Sequence, residues 1–132
     1  EMELNLYPES QRSVLFDLLS YANKIEVNRL VLTTHSPYVI NYLTLAAKAF
    51  LLTQKVSANE TLQERIKEVV PADSAIDPAR LRIYELKDGG VFRLSTYEGL
   101  PSDENFLNIQ LGVTNELFDQ LLEIEQEFDY KN

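Results

Sequence analysis

The sequence predicts an α/β fold: an incomplete parallel sheet with flanking helices and one antiparallel hairpin. Three observations predict it. The unbroken apolar run Leu30-Val31-Leu32 suits a strand covered on both faces, as in a parallel sheet. Ser36-Pro37 follows almost at once, and this pair favours the start of a helix. Farther along, two alternating segments flank Asp88-Gly89-Gly90, which is a strong hairpin signal.

The first helix is expected over Pro8 to Asn23, since proline is tolerated in a first turn and Val14, Leu15, Leu18, Leu19 and Ala22 form one stripe. Arg29 to Thr34 is then the interior strand. After it, Val39, Ile40, Leu43, Ala46, Ala47 and Phe50 recur at helical spacing behind the Ser36-Pro37 start. The more polar stretch from Val56 to Asp77 reads as a variable insertion, with a short amphipathic helix around Leu62 to Val70 that stops before Pro71. Leu81 to Lys87 and Val91 to Thr96 form the hairpin. A short helix is expected from Asp103 to Leu111, with Gly112 interrupting it, and a last helix from Asn115 to about Phe128. In that last helix Leu117, Phe118, Leu121, Leu122 and Phe128 share one face. Residues 1–132 thus read as a single partial domain, divided into 1–55, the insertion 56–78, and 79–132.

Composition narrows the chemistry. The chain has 132 residues, 45% of them hydrophobic, which is ordinary for a globular protein. Against 12 Lys and Arg stand 21 Asp and Glu, a net charge of -9, so this segment is a poor nucleic-acid surface. Without cysteine, disulfides and thiolate metal sites are excluded, and one histidine excludes a His-rich metal centre. The most apolar stretch, Tyr38 to Leu52, is broken by Asn41 and Lys48 well short of a membrane span, and a cytoplasmic location is expected. Chemistry is left to carboxylates, hydroxyls and His35.

His35 emerges between the interior strand and the following helix. Ligands gather beyond the carboxyl ends of parallel strands, and helix N-termini present unpaired N–H groups to anions. A polar residue in such a turn can also serve only to satisfy local backbone groups, and geometry alone leaves both roles open. Glu123, Glu125 and Glu127 alternate along a helix and do not converge, so they read as a solvated face. Tyr84, Phe92, Tyr97 and Phe106 lack interleaved basic residues and are expected to pack the hairpin against a helix, as core, rather than stack on bases.

The segment Thr33-Thr34-His35-Ser36-Pro37-Tyr38 resembles the switch region of ABC-type ATPases, especially those related to RecF, SMC and OLD-family proteins. The segment Glu1-Met2-Glu3-Leu4-Asn5-Leu6-Tyr7-Pro8-Glu9-Ser10-Gln11 resembles the part that follows the Walker B strand in the same family, with Met2 in place of the usual proline. The hairpin region looks like the C-terminal part of these enzymes. The resemblance implies the C-terminal lobe of a P-loop NTPase. It gives His35 the contact with the ATP γ-phosphate, Glu1 the orientation or deprotonation of the attacking water, and Asn5, Leu6, Tyr7 and Pro8 a loop against the opposite subunit. It further implies ATP and Mg in the full-length protein, a head-to-tail homodimer, and nucleic acid only through other parts of the parent.

The four glycines, Gly89, Gly90, Gly99 and Gly112, introduce no phosphate-binding loop, so this segment is expected to bind no nucleotide and turn none over alone. The Walker B carboxylate is expected just before residue 1. A rival expectation is a non-catalytic interaction or dimerisation module on an ATPase-like scaffold, with His35 as a structural cap. A transport ATPase subunit is a weaker rival, since the Glu-x-Glu and Pro-x-x-Gln arrangement leans away from it.

Overall fold

Pro8 fixes the backbone dihedral that a first helical turn needs, and helix α1 runs Pro8–Asn23. Tyr7 before it is extended, at φ -65 and ψ 155, as the residue preceding a proline must be. Helix α2 spans Pro37–Lys55 and α3 Glu60–Val69, where the Asn59 side chain accepts from the Leu62 N–H as an N-cap. These come from a computed structural model, which describes residues 1–131 along the backbone and, within them, all side chains except those at 127–129 and 131. Two compact units are seen, Glu1–Ser102 and Asp103–Asn132.

The first unit is built on the α1–α2 pair. Leu15, Phe16 and Leu19 of α1 are buried with Val39, Leu43, Ala46 and Ala49 of α2. Alanines at the contact allow the two helices to approach closely. Segment 56–78, expected as an insertion, joins this core: Val70 and Ser74 are each 2% exposed. The reason is polar. Ser74 Oγ donates to the Phe16 carbonyl at 2.9 Å, and Asn23 Nδ2 donates to the carbonyls of Asp73 (2.8 Å) and Ala75 (2.9 Å), which staples the turn Ala72–Ser74 onto α1.

Two small antiparallel sheets follow. Strands β1 (Tyr84–Lys87) and β2 (Gly90–Arg93) pair with Lys87 opposite Gly90. The turn between them is Asp88-Gly89, with φ of 50 and 73, the left-handed pair that a two-residue hairpin demands. A second hairpin, absent from the sequence reading, repeats the device: β3 (Thr96–Tyr97) meets β4 (Leu100–Pro101) across Glu98-Gly99, again at positive φ. The expected burial of Tyr84 and Tyr97 is not seen, as they are 54% and 74% exposed; Phe92, 49% exposed, packs only within its own hairpin, against Gly90 and beneath the Lys87 ammonium.

Two further expectations are corrected. Arg29 to Thr34 forms no strand, and no parallel pairing exists among the described residues. A strand exists only when a neighbour takes up its backbone N–H and C=O groups, and none lies beside this stretch. Nor is it covered on both faces: Val31 is 87% exposed, whereas Leu32 packs on the core with Met2. The mixed α/β class stands; the parallel sheet is not seen.

In the second unit, α4 is one helix, Phe106–Lys131, rather than two. Gly112 does not interrupt it, because a glycine inside a helix costs only about 1 kcal/mol and the helix continues for many residues on its C-terminal side. Phe128 and Glu127, placed above on opposite faces of the last helix, have side chains outside the described residues. No helix among the described residues is long and apolar enough to cross a membrane.

Candidate functional site

The turn from Thr33 to Ser36 is held from below by the N-terminal segment. Glu3 Oε1 accepts two hydrogen bonds, from the Thr34 hydroxyl and from the His35 backbone N–H, both at 2.8 Å. The Thr34 hydroxyl oxygen in turn accepts from the Ser36 N–H at 2.9 Å. Ser36 then turns inward: its Oγ donates to Gln11 Oε1 at 2.6 Å, and Gln11 Nε2 donates to the Leu6 carbonyl at 2.9 Å. Gln11 and Ser36 are buried, so this chain of bonds satisfies groups that water cannot reach.

The alternation explains where His35 points. Thr34 and Ser36 are turned toward the protein, so His35 between them must face outward. Its side chain is 85% exposed, and Nε2 lies 2.8 Å from Glu1 Oε1. The backbone of His35 is thus fixed while its ring stands in the open. The two residues singled out by sequence, 34 positions apart, meet in space.

The loop Asn5 to Pro8 is tied to the same network. Asn5 takes a left-handed φ of 60, which asparagine tolerates better than most residues, and the Leu6 N–H closes the turn on the Glu3 carbonyl at 3.0 Å. Leu6 offers its carbonyl to Gln11, while Tyr7 is 84% exposed and Pro8 begins α1. The described contacts therefore join Glu1, His35 and the Asn5–Pro8 loop at one end of the unit.

Electrostatically the distinctive group is Glu3. Burial works to raise its carboxyl, but hydrogen bonds from the His35 N–H and the Thr34 hydroxyl outweigh this and hold it below the usual glutamate range. Its Oε2 is buried with no hydrogen-bond partner among the described residues. Glu3 and Gln11 hold the turn together, a role that the sequence analysis did not give them. The signal was present, in the Glu1-x-Glu3 spacing and in Gln11 three residues after Pro8, but neither residue carries an obvious chemical role until the hydrogen bonds are seen.

What the site can hold is limited. At the start of α2 no side chain caps the first N–H groups, since Ser36 is engaged with Gln11, and these donors stand beside His35. An imidazole N–H and a free helix N-terminus suit an anion. Metal is another matter: among the described residues no group of three or more His, Asp and Glu gathers to hold an ion. A cavity of about 460 Å³ elsewhere in the first unit, lined by Ser20, Lys24, Phe50, Lys67, Asp73 and Arg80 among others, contains neither Glu1 nor His35. Its cations are occupied, Lys67 by Glu64 at 2.6 Å, Arg80 by the Glu26 carbonyl at 3.1 Å, and Lys24 by the Tyr21 ring. Comparisons with protein-family models, curated proteins and solved structures find no match to this chain.

Proposed function

We propose that this chain is the C-terminal lobe of an ABC-type ATPase and carries the water-activating and γ-phosphate-sensing end of a nucleotide site. The single observation that carries the proposal is the 2.8 Å approach of His35 Nε2 to Glu1 Oε1, between two segments that each resemble a different part of that family's site. His35 would donate to a γ-phosphate oxygen. Glu1, within reach of the same point, would orient or deprotonate the attacking water. Phosphoryl transfer depends mostly on positioning and on donors aimed at charged oxygens, so one fixed imidazole and one carboxylate are chemically sufficient for these two roles.

The remaining parts must come from elsewhere. This chain has no phosphate-binding loop, and its described residues do not gather ligands for magnesium, so the cradle of the phosphates and the metal belong to other segments or a second subunit. The Asn5–Pro8 loop would face that opposite subunit in a homodimer. Through the bonds Leu6–Gln11–Ser36 it is linked to the turn that bears His35, which offers a physical route between interface and phosphate.

The test is ATP turnover in a protein that joins this chain to its phosphate-binding segment. Glu1→Gln should lower kcat by about 10²-fold or more while ATP still binds, and His35→Ala should lower it by a similar factor of about 10²–10³. Turnover unchanged by both substitutions would defeat the proposal and leave the pair as a surface contact of a non-catalytic interaction module.

A further inference from the structure

Among the described residues, 29–35 make no backbone-to-backbone hydrogen bond. The turn that carries His35 is therefore held by side chains. Glu3 Oε1 takes both the His35 N–H and the Thr34 hydroxyl at 2.8 Å, and the Thr34 oxygen passes the restraint on by accepting from the Ser36 N–H at 2.9 Å. One carboxylate oxygen thus governs Thr34, His35 and Ser36.

The ring is approached from the same segment. Glu1 Oε1 lies 2.8 Å from His35 Nε2, so two carboxylates of one short stretch engage the backbone and a ring nitrogen of a single histidine. The two contacts are not equivalent. The His35 side chain is 85% exposed, and an ion pair in the open contributes little. Glu3 is half-buried, and bonds from N–H and O–H donors to a charged carboxylate are about twice as strong as neutral ones.

Burial alone would raise the Glu3 carboxyl, yet the bonds from the His35 N–H and the Thr34 hydroxyl hold it below the ordinary range, so the turn prefers the ionised acceptor. Its other oxygen, Oε2, is shut away from water with no hydrogen-bond partner among the described residues, which costs stability. A group kept at such a cost is characteristic of a functional site.

We propose, resting on the ATPase reading above, that Glu3 is a positioning residue for the reaction: through the His35 backbone N–H it sets where the imidazole meets the γ-phosphate, without touching the nucleotide. Phosphoryl transfer depends chiefly on positioning, and an error of about 1 Å in such a group can cost about 10²-fold in rate. A neighbouring strand cannot take over this hold, because the His35 N–H that it would need is already engaged.

The experiment measures kcat and KM for ATP in a protein that joins this chain to its phosphate-binding segment, with circular dichroism confirming that each variant is folded at the assay temperature. Glu3→Ala should lower kcat about tenfold or more and leave KM within about twofold. Glu3→Gln keeps an acceptor at the same reach and should recover most of the rate, whereas Glu3→Asp keeps the charge, is one methylene shorter and should behave like Glu3→Ala. If the alanine variant does not fold, the comparison of Gln with Asp carries the test. In a His35→Ala background, Glu3→Ala should cost less than about twofold more, since its effect passes through a ring already removed. The positioning role is overturned by a full loss repeated in the His35→Ala background, by a raised KM at unchanged kcat, or by an Asp variant as fast as the Gln variant. A rate lowered by His35→Ala but not by Glu3→Ala or Glu3→Asp would sink this inference alone and leave the ATPase reading standing. A rate indifferent to both His35→Ala and Glu1→Gln would remove the two together.

Discussion

At the scale of single residues, one carboxylate does more than its position suggests. Glu3 accepts from both the Thr34 hydroxyl and the His35 N–H, so it sets the backbone from which the imidazole projects without touching the ring. Gln in its place keeps an oxygen that accepts both bonds, whereas Ala leaves two donors without their acceptor. Glu3→Ala should therefore reduce stability by about 1–3 kcal/mol in chemical denaturation, and Glu3→Gln by clearly less. A pH dependence follows from the sign of its shift. Because the folded state holds this carboxyl below its ordinary range, the ionised form stabilises the fold. That contribution is full above the usual glutamate range and disappears as pH falls through the lowered folded value. Unfolding curves recorded across mildly acid pH should lose stability faster for the natural chain than for Glu3→Gln, and parallel curves would contradict the assignment.

At the scale of elements, the α1–α2 pair holds the site residues at their places. Leu15 is fully buried between the helices, and Leu15→Ala should cost about 2–5 kcal/mol, read as a lower denaturation midpoint with unchanged slope. The α4 helix gives the opposite case. A Cβ at Gly112 would meet nothing within 4 Å, so Gly112→Ala should stabilise the helix by about 0.5–1 kcal/mol, measured as a raised midpoint or helical signal. A loss of helix on that substitution would show that Gly112 breaks the element after all. The hairpins carry their instruction locally, since Asp88-Gly89 and Glu98-Gly99 supply the left-handed residues at each tip. The second was overlooked because its strands have only two residues each, too few to display an alternating pattern.

At the scale of the whole molecule, one end gathers Glu1, Glu3, His35 and the Asn5–Pro8 loop, while the stretch Arg29 to Thr34 leads to it without a strand partner. If the proposed function holds, that stretch finds its neighbours in the segment that bears the phosphate-binding loop, and this chain by itself should hydrolyse no ATP. Metal-dependent turnover by the pure chain, followed as phosphate release, would show that the missing loop is not required.

The sequence by itself determined the elements whose causes are local: α1 and α2 with their prolines at the first position, and the Asp88-Gly89 turn. It also exposed the two segments whose likeness to one family suggested a site. Only the tertiary structure decided that Glu1 and His35 meet, that Thr34 and Ser36 turn inward and leave His35 facing out, that Glu3 and Gln11 bind the Thr33–Ser36 turn to the loop before α1, and that Val70 and Ser74 belong to the core. The division has a physical reason. Dihedral preference and periodicity act over a few neighbouring residues, whereas a hydrogen bond between Gln11 and Ser36, or a strand's need for a partner, depends on which distant groups the packed helices bring within 3 Å.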